Sequence, residues 1–87
     1  MSTSANFTGL IQRISEDFIR GNIYMVDKPV LARALINIEP QYQEKIFRNM
    51  SDDGAEVKRL MNGFSEISAK EIETAQQQIL VMASQAI

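Results

Sequence analysis

Two prolines limit what the middle of this chain can become. Pro29 follows Asp27-Lys28 and lacks the amide hydrogen that the first turn of a helix leaves unpaired anyway, so a helix is expected to begin near residue 28. Glu39 precedes Pro40 and is pushed out of the helical region, which stops that helix and lets another restart at Pro40. Between the prolines, Val30, Leu31, Ala34, Leu35 and Ile38 recur at helical spacing and are expected to face inward. A chain punctuated this closely must build its core from short helices.

The flanking segments follow the same logic. Phe7, Leu10, Ile11, Ile14 and Phe18 share one helical face, but Ser15 followed by Glu16-Asp17 has the form of a fresh N-cap with acid in the first turn. One continuous helix and two short ones broken near Ser15 both fit. Gly21-Asn22 is either a left-handed cap or the interior of a second helix. After Pro40, Tyr42, Ile46, Phe47 and Met50 are expected inside, with Gln43, Glu44, Lys45 and Arg48 in water. Ser51 is read as the cap of the next helix, which runs from Asp52 to a stop at Asn62-Gly63.

Ser68-Ala69-Lys70-Glu71 fits the S-x-x-E capping box and opens a last, longer helix. Its inner face is Ile72, Ala75, Ile79, Met82, Ala83 and Ala86, and the run Gln76-Gln77-Gln78 is expected to be mostly solvated. No strand alternation of useful length and no fixed-period repeat is visible. The expected fold is all-α, a right-angled bundle of about five to six short helices or a short array of helical hairpins, forming one domain over residues 1–87.

Composition removes whole classes of function. Nine basic and eleven acidic residues give a net charge of −2, so nothing draws the chain strongly to nucleic acid or anionic lipid. Without cysteine or histidine, the usual zinc sites, thiol nucleophiles and imidazole acid/base chemistry have no residues to use. The first residues, MSTSANF, do not form a signal peptide, and no apolar run approaches the roughly 18 residues of a membrane span, so a cytoplasmic location is expected. The triplets Asn6-Phe7-Thr8 and Asn49-Met50-Ser51 match the glycosylation pattern, which carries no weight without a secretory signal.

Asp52, Asp53 and Glu56 are the densest carboxylate set. Acid clustered at a helix N-terminus is what capping alone predicts, so neither catalysis nor metal binding is read into it, and the run lacks the ligand spacing of an EF-hand. No catalytic, cofactor or metal residue is assigned. Met25, Met50, Met61 and Met82 are read as core filler, with three of these four inside. Leu60 and Met61 point about 100° apart on a helix, so one of the pair is expected near the surface.

From Val26 to Ile79 the sequence resembles the carboxy-terminal domain of the flagellar rotor switch protein FliG. Val26-Asp27, Leu31 with Ala34-Leu35, and Glu44-Lys45-Ile46-Phe47-Arg48-Asn49-Met50-Ser51 follow that family's V-D, L-x-x-A-L and E-K-[IF]-[LF]-x-N-M-S in order and spacing. Glu71-Ile72-Glu73-Thr74-Ala75-Gln76-Gln77-Gln78-Ile79 is similar to its E-V-E-x-A-Q-x-x-I helix. Residues 7–25 match more loosely and favour the break near Ser15. The resemblance implies an all-α fold related to armadillo-type superhelical arrays. It further implies a non-enzymatic domain without cofactor, placed on the cytoplasmic rim of the flagellar rotor, that takes up torque from the membrane stator through charge.

The charges such a role would use are changed here. The resemblance places a base where this chain has Ile36, a base where it has Asp53, and a base where it has Ser68. It places an acidic pair on Leu60 and Met61, or on Arg59 and Leu60 if a gap falls earlier. The family's earlier domains have no counterpart, and its M-F-x-F hinge is reduced to Ser4-Ala5-Asn6-Phe7, which suggests a free-standing, diverged relative. Ile36, Asp53, Glu56, Arg59, Leu60, Met61 and Ser68 are therefore the candidate partner interface. The first expectation is a protein-binding domain that docks on flagellar switch or stator components without the family's torque charges. The second is an adaptor that binds an unrelated protein through Ile36, Leu60 and Met61. Neither involves nucleic acid or insertion into a membrane.

Overall fold

Six α-helices make up most of the computed structural model, which describes residues 3–64 and 66–86. They are α1 (Thr3–Arg13), α2 (Glu16–Asn22), α3 (Lys28–Leu35), α4 (Pro40–Phe47), α5 (Asp52–Gly63) and α6 (Ala69–Ala86), with one 3-10 turn over Ile23–Met25. The first segment is broken at Ser15, whose Oγ accepts the Phe18 amide at 3.0 Å and so caps α2. Gly21 and Asn22 belong to α2, and no described residue has positive φ, so the left-handed cap does not form. No helix among the described residues is long and apolar enough to cross a membrane.

α3 is the centre of the molecule. It begins at Lys28 with proline in its first turn and ends at Leu35, a full turn ahead of Pro40. Leu31, Ala32, Ala34 and Leu35 are all buried, because α5 and α6 pack on it from different sides. The two alanines permit that close approach. Eight residues do not hold a helix in water, so α3 depends on this burial. Phe7 and Ile11 of α1, Ile19 of α2, Ile46 of α4, Val57 of α5 and Ile79 of α6 complete the core, while Val30, Tyr42, Phe47 and Met50 pack against it half-buried.

α3 and α5 run in the same direction. Lys28 at the start of α3 meets Asp53 and Glu56 at the start of α5, and Arg33 further along α3 lies over Phe64 just past the end of α5. Parallel packing of helices two apart in the chain is the geometry of stacked helical hairpins.

Among the polar residues expected in water, Gln76 is buried, and Gln43 and Lys45 are half-buried with their polar ends bonded to backbone. Gln76 is 0% exposed: its Nε2 donates to the Ala34 carbonyl (3.0 Å) and to Asn37 Oδ1 (2.9 Å), and its Oε1 accepts from Ser4 Oγ (3.0 Å). Gln43 Nε2 donates to the Leu35 carbonyl at 2.7 Å. Lys45 Nζ donates to the carbonyls of Ile11 (2.6 Å) and Ile14 (2.7 Å) at the end of α1. The physical reason is common to all three. A helix leaves its last carbonyls without intrahelical partners, and short helices bury many such ends. Gln77 and Gln78 are exposed, as expected.

Glu44-Lys45-Ile46-Phe47-Arg48-Asn49-Met50 locks α2 onto α4. Arg48 grips Glu16 in a bidentate pair (Nε to Oε1 2.9 Å, Nη2 to Oε2 3.0 Å). Asn49, buried, donates to Glu16 Oε1 (3.1 Å) and to the Lys45 carbonyl (2.8 Å), and accepts from Arg20 Nη1 (2.7 Å). Arg20 also pairs with Asp17. Hydrogen bonds from Arg48 and Asn49 hold the Glu16 carboxyl down at about 2, and the same pairing raises Arg48.

Other expectations need correcting. Ser51 holds the N-cap position of α5, but its hydroxyl makes no cap bond. Of the four methionines read as core filler, Met50, Met61 and Met82 are half-buried and Met25 is 59% exposed, so none of the four is fully inside. Ile72, Ala75, Ile79 and Ala83 form the inner face of α6, with Met82 half-buried, and the side chain of Ala86 lies outside the described residues.

Replacing Gln76 with leucine strips the Ala34 carbonyl of its donor in the interior, and a loss of about 1–3 kcal/mol is expected by urea unfolding. Lys45→Met should cost about 1–2 kcal/mol in the same measurement, since the α1 carbonyls lose a cation at the negative end of their helix. Glu16 titrates below its ordinary 4.5 when folded, so its contribution is complete above that pH and is lost as pH falls through about 2. Melting temperature followed over that interval should therefore fall less steeply for Glu16→Gln than for the parent chain.

Candidate partner-docking surface

The charged residues of α5 form a row that begins on α3. Lys28 is the first residue of α3, where the positive end of the helix dipole disfavours a cation. Two acids from the first turns of α5 offset this: Glu56 Oε2 lies 3.0 Å and Asp53 Oδ1 3.3 Å from Lys28 Nζ. The hydrogen bond that Lys28 donates to Glu56, then that to Asp53, raises the Lys28 pKa above its ordinary value. Glu56 Oε1 in turn sits 3.8 Å from Arg59 Nη2. Lys28, Asp53, Glu56 and Arg59 thus make one outward-facing row of alternating sign. Beside it the Lys58 ammonium stands 4.9 Å from the centre of the Phe47 ring, tying α5 to the end of α4.

The remaining candidates are placed differently. Leu60 and Met61 are both half-buried and pack on the core with Phe64, so neither projects as an exposed apolar knob. Both residues keep part of their surface in solvent while leaning on the core, so the pair lies near the surface without either member leaving the packing. Ile36 is half-buried at the C-cap of α3. Ser68 is exposed, and its Oγ accepts the Glu71 amide at 3.1 Å to cap α6. It shares a shallow hollow with Val30 and Arg33 of α3 and Lys70 of α6. Arg33 lies with its guanidinium 5.8 Å from the Phe64 ring centre.

Of the candidates, the fold brings Asp53, Glu56 and Arg59 together and leaves Ile36, Ser68 and the Leu60-Met61 pair outside that row. Lys28 and Arg33 are the residues that reading along the chain misses. Lys28 carried a signal, since a cation in the first turn of a helix opposes the dipole and implies an acid brought from elsewhere. Nothing in the sequence around Arg33 indicates its ring partner. Positive charge is therefore present beside Asp53, supplied by Lys28 of α3, and in the hollow that holds Ser68, supplied by Arg33 of α3 and Lys70 of α6.

Comparison with known proteins gives one family: the model of the FliG C-terminal domain matches residues 4–87. No curated protein and no solved structure matches.

Lys28→Glu sets like charge against Asp53 and Glu56 and should lower the melting temperature at low salt. Adding Glu56→Lys to that variant should restore most of the loss. In about 1 M salt, where the screening length shrinks to roughly 3 Å, parent and single variant should converge.

Proposed function

Because the chain belongs to the FliG C-terminal domain family, we propose that it is a non-enzymatic protein-interaction domain of the flagellar motor switch, docking on switch or stator components without the charges through which that family takes up torque. The observation that carries this reading is the state of the α5 row. Asp53, where the family resemblance places a base, is an acid, and it and Glu56 are already engaged by Lys28 of the same molecule. A partner patterned for the usual ridge meets reversed sign at Asp53 and no acid at Leu60 or Met61. Like-charge encounter suppresses such contacts more than neutral change does.

A partner that does fit would present a cation to Asp53 and Glu56 and an acid to Arg59, and it would compete with Lys28 for Glu56. Charge pairs this exposed contribute little standing affinity and mainly set orientation and speed of encounter. The match over nearly the whole chain supports retained docking by shape, on the cytoplasmic side of the flagellar basal body. The adaptor reading through Ile36, Leu60 and Met61 is the weaker one, since the packing of Leu60 and Met61 against the core leaves little apolar surface there to offer.

Deleting the chain from its source organism should alter swimming, switching or motor assembly, and complementation with Asp53→Lys/Glu56→Lys should fail to restore the parent behaviour. Unchanged motility on deletion would overturn the proposal.

A further inference from the structure

A cleft of about 320 Å³ runs inward between α1, α2 and the last turns of α6. Its floor is the core itself: Phe7, Ile11, Leu31 and Ile46 border it, and each is no more than 3% exposed. The half-buried Ile14, Phe18 and Met82 stand above them as walls. The cleft is therefore an invagination into the core rather than a flat apolar face. Among the described residues none of α5 borders it, so it lies apart from the charged row.

The lining is of one chemical kind. Among the described residues no ionisable side chain borders the cleft, and the polar ones are two amides, Asn22 and Gln85. Asn22 Nδ2 already donates to the Phe18 carbonyl at 2.9 Å. Charges on the neighbouring elements bond elsewhere: Lys45 to the α1 carbonyls, Arg20 to Asn49 and Glu16 to Arg48. A water molecule needs two to four polar partners, which walls of Ile, Phe and Met do not supply, so apolar atoms displace it from the depth of the cleft with a gain. A carboxylate or phosphate entering there would lose its hydration and meet no cation.

Size narrows the occupant further. The volume is roughly twice the 150 Å³ that admits a benzene ring and stands at the lower end of the roughly 300–1,000 Å³ of small-molecule sites. A partner helix, about 10–12 Å across with its side chains, does not enter a space of this size. We propose that the cleft is a binding site for a small, uncharged, largely apolar organic molecule about the size of a fused ring pair, with the amides of Asn22 and Gln85 at the mouth to meet a single hydroxyl or amino group. Such a ligand touches α1, α2 and α6 at once, so its binding ties the first helices to the last and stabilises the fold by mass action.

The probe is β-naphthol, a fused ring pair with one hydroxyl that is uncharged at neutral pH, and its counterpart is β-naphthoate, the same rings bearing a carboxylate. Added to the full chain and followed by NMR of the side-chain methyl groups, β-naphthol is expected to shift Ile14, Ile79 and Met82 saturably, with a dissociation constant on the order of 0.1 mM. The naphthoate should bind at least about tenfold more weakly. Gln85→Lys, at an exposed position of the mouth where folding is not at issue, should close most of that gap by giving the carboxylate a cation. Ala83→Leu builds into the cleft from α6 and should abolish β-naphthol binding while the helical spectrum is kept. The absence of a saturable shift up to about 1 mM overturns the proposal, as do equal affinities of the parent chain for the two probes or shifts confined to α5.

Discussion

Everything in this fold depends on how short helices dispose of their last carbonyls. With α3 and α4 only eight residues long, about half of each helix's carbonyls lack an intrahelical partner, and leaving such groups unpaired in a core costs about 1–3 kcal/mol each. Side chains from neighbouring helices supply the missing donors: Lys45 at the end of α1, Gln43 and Gln76 at the end of α3. Each donor sits on one helix and serves another, so the caps also fix how the helices pack. Without them the central helix would be too short to persist and too polar at its end to bury.

The same division explains how one run of charge can serve two purposes. In residues 44–50 polar groups reach to neighbouring elements: Lys45 to α1, the buried Asn49 and the exposed Arg48 to Glu16 of α2. These contacts define how the amino-terminal helices sit on the rest, which accounts for why this run, rather than the exposed charge, carries the family resemblance. A few residues later Asp53 and Glu56 of α5 turn outward, and Lys28 of α3 pairs with both. The scaffold contacts of residues 44–50 and the candidate docking row thus lie on either side of Ser51, and α5 itself does both, with Val57 in the core and Asp53, Glu56 and Arg59 on its outer face.

Most of the helix boundaries could be read along the chain because their causes are local. Pro29, Pro40, the Ser15 hydroxyl and the Ser68 capping box act within a turn of their own position, and each marks a helix start in the structure. Gln76 is buried against the expectation, and Gln43 and Lys45 are only half in water, because polarity predicts exposure only where no unpaired carbonyl waits inside. Ser51 erred the other way: the residue type suits a cap, yet its hydroxyl makes none. At the candidate surface, Asp53, Glu56 and Arg59 share a row because they share a helix, which spacing alone indicates. Their tie to Lys28 joins residues 25 and more apart in the chain and has no local sign.

The sequence by itself determined the helical class, the breaks between helices, the inward residues of α3 and α6 and the family to which the chain belongs, because each of these rests on periodicity, on caps within a few residues or on an ordered run of residue types. Only the tertiary structure decided which polar side chains are interior caps, that Leu60 and Met61 lean on the core, and that the α5 acids are held by Lys28. Those outcomes depend on which helix ends meet in space, and an unpaired carbonyl or a misplaced cation selects its partner by distance rather than by order along the chain.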